Sequence, residues 1–159
     1  MNISIVCVGK LKEKYLKEAI ADYGTRLTHY CRFEIIEVSD EKAPDNLGTA
    51  GEKQVKDKEG QSILKHVKED AYLIALSPGG RMESSEQFSQ RIAALGVRGQ
   101  SNVVFAIGGS LGLSDEVLRR SNHTLSFSPM TFPHGLFRVI LVEQIYRAFK
   151  IERNETYHK

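Results

Sequence analysis

The chain has 159 residues, 41% of them hydrophobic and 26% charged, and a net charge of +2. These values are ordinary for one soluble globular domain with a core of its own. No apolar run approaches the ~20 residues of a membrane span, and the chain opens at once on an apolar strand pattern, so no membrane partner or signal peptide is expected and the expected location is the cytoplasm.

Residues 3–8 form a short β-rich run closed by Gly9 and predict a strand with Cys7 in the core. Residues 12–30 place Tyr15, Leu16, Ala19, Ile20, Tyr23 and Leu27 at helical spacing. Residues 33–38 are rich in Ile and predict a second strand. Residues 39–51, with Pro44 and two glycines, predict a long acidic loop. Residues 52–67 predict a charged helix whose apolar face is only Val55, Ile63, Leu64 and Val67. Residues 71–76 predict a strand stopped by Ser77-Pro-Gly-Gly80. Ser84 or Ser85 caps the next helix, which ends near Gly96. Residues 102–107 predict a strand running into Gly108-Gly-Ser-Leu-Gly112. Ser114 caps a short helix with Asp115 and Glu116 in its first turn, where the helix dipole favours acids. Residues 124–127 predict a last strand and residues 133–151 a last helix.

Strands alternate with helices, so the expected fold is α/β: a single domain with a mainly parallel sheet covered on both faces. On the last helix, Phe137, Leu141, Val142, Ile145, Tyr146, Ala148 and Phe149 fill about half the circumference at ~100° per residue. An arc that wide predicts packing against two bodies, and a partner subunit could be the second. Arg138 falls inside the arc and requires a partner or a ligand there. Glu143 and Arg147, four apart, are expected to pair.

Charge is uneven. Residues 1–33 hold six Lys/Arg against three acids, residues 34–70 ten acids against six Lys, and residues 138–159 five Lys/Arg against three acids. If the two basic ends meet, they make a patch suited to a phosphate backbone. Cys7, Cys31 and the histidines (His29, His66, His123, His134 and His158) show no metal-ligand spacing, so no metal is expected.

Three loops leave the carboxyl ends of predicted strands, where parallel α/β sheets collect ligands. They are Leu76-Ser-Pro-Gly-Gly-Arg81, Ile107-Gly-Gly-Ser-Leu-Gly112 and Phe127-Ser-Pro-Met-Thr-Phe-Pro133. Their glycines let backbone approach a ligand, and Met130 and the two Phe offer apolar walls. The glycine spacing and position do not fit a dinucleotide fingerprint, and there is no phosphate-loop sequence of the nucleoside-triphosphate type. Each loop taken alone also fits a simple tight turn.

Ile107-Gly-Gly-Ser-Leu-Gly-Leu113, Leu125-Ser-x-Ser-x-Met-Thr-x-Pro-His134 and Arg138…Leu141-x-Glu-Gln-x-Tyr-Arg-Ala148 closely resemble the RlmH family of large-subunit ribosomal RNA methyltransferases, of the SPOUT class. The resemblance runs end to end, from Val8-Gly9-Lys10-Leu11-Lys12 through Asp40-Glu-Lys-Ala-Pro44 to Tyr157-His158. It implies one domain over residues 1–159, a trefoil knot within about residues 72–159, and a homodimer. It implies methyl transfer from S-adenosylmethionine to N3 of a pseudouridine in helix 69 of 23S rRNA, the pseudouridine 1915 position, on the assembled 70S ribosome. RNA, and neither DNA nor a membrane, is the implied partner.

Carried over by position, Leu76, Gly108, Phe127, Ser128, Pro129, Met130, Thr131 and Phe132 would hold the cofactor, mostly through main-chain groups. His134, Arg138, Tyr157 and His158 would stand near the reacting base. His134 or His158 would accept the N3 proton, Arg138 would stabilise the anion, and Tyr157 would stack on the flipped base or bond its edge. Lys10, Lys12, Arg147, Lys150, Arg153 and Lys159 would touch phosphates as a group. The family usually has Pro before the terminal Tyr-His, where this chain has Thr156. The competing reading from another class is a non-catalytic ribosome-binding factor; a small oxidoreductase is a third.

Overall fold

The computed structural model describes residues 1–42 and 44–159; Ala43, within the predicted 39–51 loop and the 40–44 motif, lies outside the described residues. Five strands, β1 (Asn2–Val8), β2 (Arg32–Val38), β3 (Tyr72–Met82), β4 (Asn102–Ile107) and β5 (His123–Ser126), form one sheet in the order β2-β1-β4-β3-β5. Every pairing is parallel. The helices are α1 (Lys14–Leu27), α2 (Thr49–Leu64), α3 (Ser85–Val97), α4 (Asp115–Arg120) and α5 (His134–Glu152). Alternate strand residues feed two cores. Ile3, Ile5 and Cys7 of β1 join one with residues of α3 and α5, while Val6 and Val8 join the other with residues of α2 and α4. A sheet covered on both faces needs apolar residues at both parities, which is why these strands read as continuous apolar runs. Burial pushes the Cys7 thiol up to about 11, as an inert core residue requires.

Most predicted elements are found within a few residues of their expected bounds. Ser84 caps α3 through a full capping box with Gln87, and the Ser114 hydroxyl accepts from the Val117 N–H at 3.3 Å to start α4. Such caps contribute about 1 kcal/mol each. α2 begins at Thr49, inside the predicted loop. β3 does not stop at Ser77. After Leu76 pairs with Leu125, residues 77–80 form a bulge, and Arg81 faces Leu125 again. Pro78 lacks an N–H for the ladder. Gly80 lets the returning chain lie on the β5 backbone, where a Cβ would come within 2.7 Å of the Leu125 carbonyl carbon.

The second body for α5 lies within the same chain, since it packs against both α1 and α3 as well as the sheet. Leu141, Val142 and Ile145 are fully buried. On the outer side Phe132, Leu136 and Ile140 keep partial exposure.

Gly80→Ala should force the second arm of β3 off β5 and cost about 2 kcal/mol, in the range for a backbone clash. Urea unfolding followed by circular dichroism reads this as a lower midpoint at unchanged m-value.

Candidate functional site

β4, β3 and β5 are neighbours and run the same way, so the loops at their carboxyl ends meet at one edge of the sheet. Together with the start of α5 they enclose a cavity of about 630 Å³, within the ~300–1,000 Å³ typical of small-molecule sites. Leu76, Gly108, Phe127, Ser128, Met130, Thr131 and Phe132 line it, and Pro129 of the same loop does not. The lining holds no Asp, Glu, Lys or Arg among the described residues. Its polar groups are main-chain amides and carbonyls, a few hydroxyls and His134.

Local chemistry shapes each wall. A Cβ on Gly108 would lie 2.5 Å from the Gly112 carbonyl carbon, and Gly112 itself holds φ +88°. The loop after β4 can therefore close this tightly only with glycine at both positions. The Ser126 hydroxyl donates to the Ser128 carbonyl at 3.2 Å, and the Ser128 hydroxyl accepts from the Met130 N–H at 3.0 Å, folding the loop after β5 on itself. Phe127 and Phe132 both pack on Phe137, with centroids 5.1 and 6.1 Å away. That aromatic wall joins the loop to α5.

His134 opens α5 at the rim of this cavity. Burial lowers its pKa, and the nearby Arg138 charge adds to the effect; a contact with the Gly109 main chain works in the opposite direction. The imidazole is thus held neutral, in the form that can accept a proton.

Arg138 points away from the cavity. The residue is 3% exposed, and its guanidinium donates to the Val8 and Gly9 carbonyls at 2.8 Å each and pairs with Glu37 Oε2 at 2.9 Å. Glu37 Oε2 also accepts from the Leu11 N–H at 2.6 Å. The partner that Arg138 required is the carboxyl end of β1 and β2. It clamps the first turns of α5, and so His134, to the sheet.

Tyr157 and His158 are held and half-buried. The Tyr157 hydroxyl donates to Glu143 Oε1 at 2.9 Å. Arg147 grips the same oxygen, stacks its guanidinium 4.7 Å from the Tyr157 ring centre, and bonds His158 Nδ1 at 3.2 Å. The pairing of Glu143 with Arg147 is as the spacing predicted. His158 Nε2 meets Glu86 at 2.8 Å, and that hydrogen bond is the main reason the Glu86 carboxyl drops to about 2. Burial, then hydrogen bonds with Tyr23 and Glu143, raise the Tyr157 phenol, so it stays protonated. Neither residue lines the cavity. Glu143 lies nine residues beyond His134, about 13 Å along the helix at ~1.5 Å per residue. One chain therefore brings His134 to the pocket and leaves the Tyr-His pair elsewhere. Sequence reasoning missed Glu37, Glu86 and Phe137, whose roles arise from partners on other elements.

The family model described as "Predicted SPOUT methyltransferase" matches residues 1–158. The proteins named "Ribosomal RNA large subunit methyltransferase H" from Clostridium novyi (strain NT) and Clostridium botulinum (strain Eklund 17B / Type B) are 60% and 58% identical to this chain, each over all of both chains. The structure of a probable methylase family protein from Haemophilus influenzae Rd KW20 superposes with a TM-score of 0.55 at 15% identity, covering 96% of this chain and 66% of that one, and so speaks for the fold. The family match over residues 1–158, together with the parallel sheet, places the chain in the class of α/β methyltransferases. Within that class the chain belongs to the SPOUT methyltransferase family, in the RlmH group that its motifs resemble.

Two outcomes follow from this geometry. Arg138→Ala should lower stability by about 3 kcal/mol, because it leaves a carboxylate and two carbonyls without their buried donor. Arg138→Lys should not recover it, since an ammonium cannot span the fork; chemical denaturation measures both. The His134 imidazole should titrate below the ~6.5 of a free histidine, as read by NMR. Its folded pKa lies below its unfolded one, so the unfolded chain binds more protons between them. Its share of stability is therefore complete above ~6.5 and lost as pH falls through that window.

Proposed function

We propose that the protein transfers the methyl group of S-adenosylmethionine to N3 of a pseudouridine in helix 69 of 23S rRNA, within the 70S ribosome, acting as a homodimer. One observation carries this reading most: three neighbouring loops present main-chain groups and aromatic walls to a single uncharged cavity with a neutral histidine at its rim. Full-length identity to proteins named as large-subunit ribosomal RNA methyltransferases supports the RNA substrate.

The cavity fits the cofactor. Its volume suits a nucleoside joined to an amino acid, the Phe127–Phe132–Phe137 side suits a base, and the close-packed Gly108 loop leaves main-chain groups open to polar atoms. When bound, S-adenosylmethionine supplies an electrophilic methyl group on a sulfonium. The chain's own residues then do the rest. The loops at Leu76, Gly108 and Phe127–Phe132 bind and orient, and the aromatic wall excludes water. The base N3 must lose its proton to become a nucleophile, and His134, held neutral, accepts it. Arg138, with both terminal guanidinium nitrogens bonded to Glu37, Val8 and Gly9, positions His134 from behind. Tyr157 and His158 hold the target base from a second copy of the chain, since in its own chain Tyr157 is held at Glu143, about 13 Å along the helix from His134. The partly exposed Leu136 and Ile140 offer that second copy an apolar contact. The knot expected within about residues 72–159 and action in the cytoplasm belong to this reading; no helix is long and apolar enough to cross a membrane among the described residues.

The test uses methyl-labelled S-adenosylmethionine with ribosomes lacking the modification, and naked 23S rRNA in parallel. Label on N3 of one helix 69 pseudouridine in ribosomes alone is the expected result, and His134→Ala should lower kcat by about a hundredfold. No label from folded, dimeric protein would sink the reading in favour of a non-catalytic binding factor. A subunit lacking the last three residues, mixed with a His134→Ala subunit, should recover about a quarter of the wild-type activity, as random pairing in a twofold dimer gives. Mixed dimers with no activity would rule out sharing between subunits.

A further inference from the structure

Glu59, on α2, is a buried acid that the proposed chemistry has not used. It is 4% exposed. Its carboxylate lies against Gly109, where a Cβ would sit 2.9 Å from each of its oxygens. It accepts one hydrogen bond, from the Glu41 N–H at 3.3 Å. No Lys, Arg or His forms an ion pair with it among the described residues. The charges near it are those of Asp40 and Glu41, both acidic. Burial in the first place, and these two acids after it, raise its pKa, against the pull of the Glu41 N–H. The next residue, Gly60, seats α2 on Ser114, whose Oγ would lie 2.2 Å from a Cβ at that position. The stretch of α2 that carries Glu59 is therefore seated closely against the start of α4.

A buried carboxylate without a cation is costly. Gly109, on which this one lies, lines the cofactor cavity, and the cavity wall carries no charged side chain of its own. Glu59 thus lies against a residue of the cavity wall without lining the cavity itself.

We propose that Glu59 is a specificity-determining residue, which from behind Gly109 makes the pocket prefer the cationic sulfonium of S-adenosylmethionine to the neutral thioether of S-adenosylhomocysteine. This inference rests on the cofactor reading given under Proposed function. It has a use: the positive charge disappears when the methyl group leaves, so the same carboxylate that favours the donor releases the spent product. Across a pocket wall in a medium of intermediate dielectric, a full charge alters affinity on the order of tenfold.

The experiment is calorimetric binding of S-adenosylmethionine and S-adenosylhomocysteine, each to the wild type and to Glu59→Gln, at pH 8. Glutamine keeps the shape and can still accept from Glu41. The expected result is an affinity for S-adenosylmethionine about tenfold weaker, with that for S-adenosylhomocysteine changed less than about twofold. Equal weakening of both, or no change in either, overturns the inference and leaves Glu59 a packing residue. Binding of neither ligand to the wild type would instead overturn the cofactor reading itself. Should Glu59→Gln fail to fold, the wild type labelled with ¹³C at glutamate carboxyls carries the test. S-adenosylmethionine must then lower the titration midpoint of the buried carboxyl relative to S-adenosylhomocysteine, and equal midpoints overturn the inference.

Discussion

The buried guanidinium of Arg138 joins the last helix to the first two strands. It meets two carbonyls at the end of β1 and the carboxylate of Glu37 on β2. A charge this deep tolerates little movement, because each lost partner leaves an uncompensated polar group in a low-dielectric place. The clamp thereby fixes the start of α5, and with it His134, against the edge where the loops of β3, β4 and β5 converge. The Leu11 N–H on the same Glu37 oxygen ties the loop after β1 into that corner as well.

Close backbone approach is the second constraint, and glycine supplies it. Gly80 lets β3 return to β5 after its bulge, Gly108 lets the β4 loop close, and Gly109 and Gly60 admit α2 to the back of the pocket. A methyl group at these places would meet backbone or a buried side chain at under 3 Å. The pocket is thus a product of tight packing behind its wall. This is why its wall can do without charged side chains, and why an acid behind the wall can act on what lies before it.

The terminal Tyr157-His158 pair contrasts with the usual freedom of a chain end. Glu143 and Arg147 reach it from α5 and Glu86 from the first turn of α3, so both ring nitrogens of His158 have partners. Thr156 precedes this pair, and the side-chain contacts of the next two residues hold the tail there.

The sequence by itself determined the alternation of strands and helices, the parallel sheet and the three loops, because each rests on local periodicity, caps and glycine placement. It also marked Arg138 as a charge needing a partner, though not which one. Only the tertiary structure decided that Glu37, 101 residues earlier in the chain, is that partner. It likewise decided that β3 runs through its Pro-Gly-Gly bulge, since the continuation depends on pairing with β5 and no local signal encodes it. Glu59 and Glu86 look like surface acids of charged helices when read along the chain. Which acid is buried against a glycine and which meets the chain end follows from how helices pack on the sheet, and that packing joins residues too far apart for any local pattern to record.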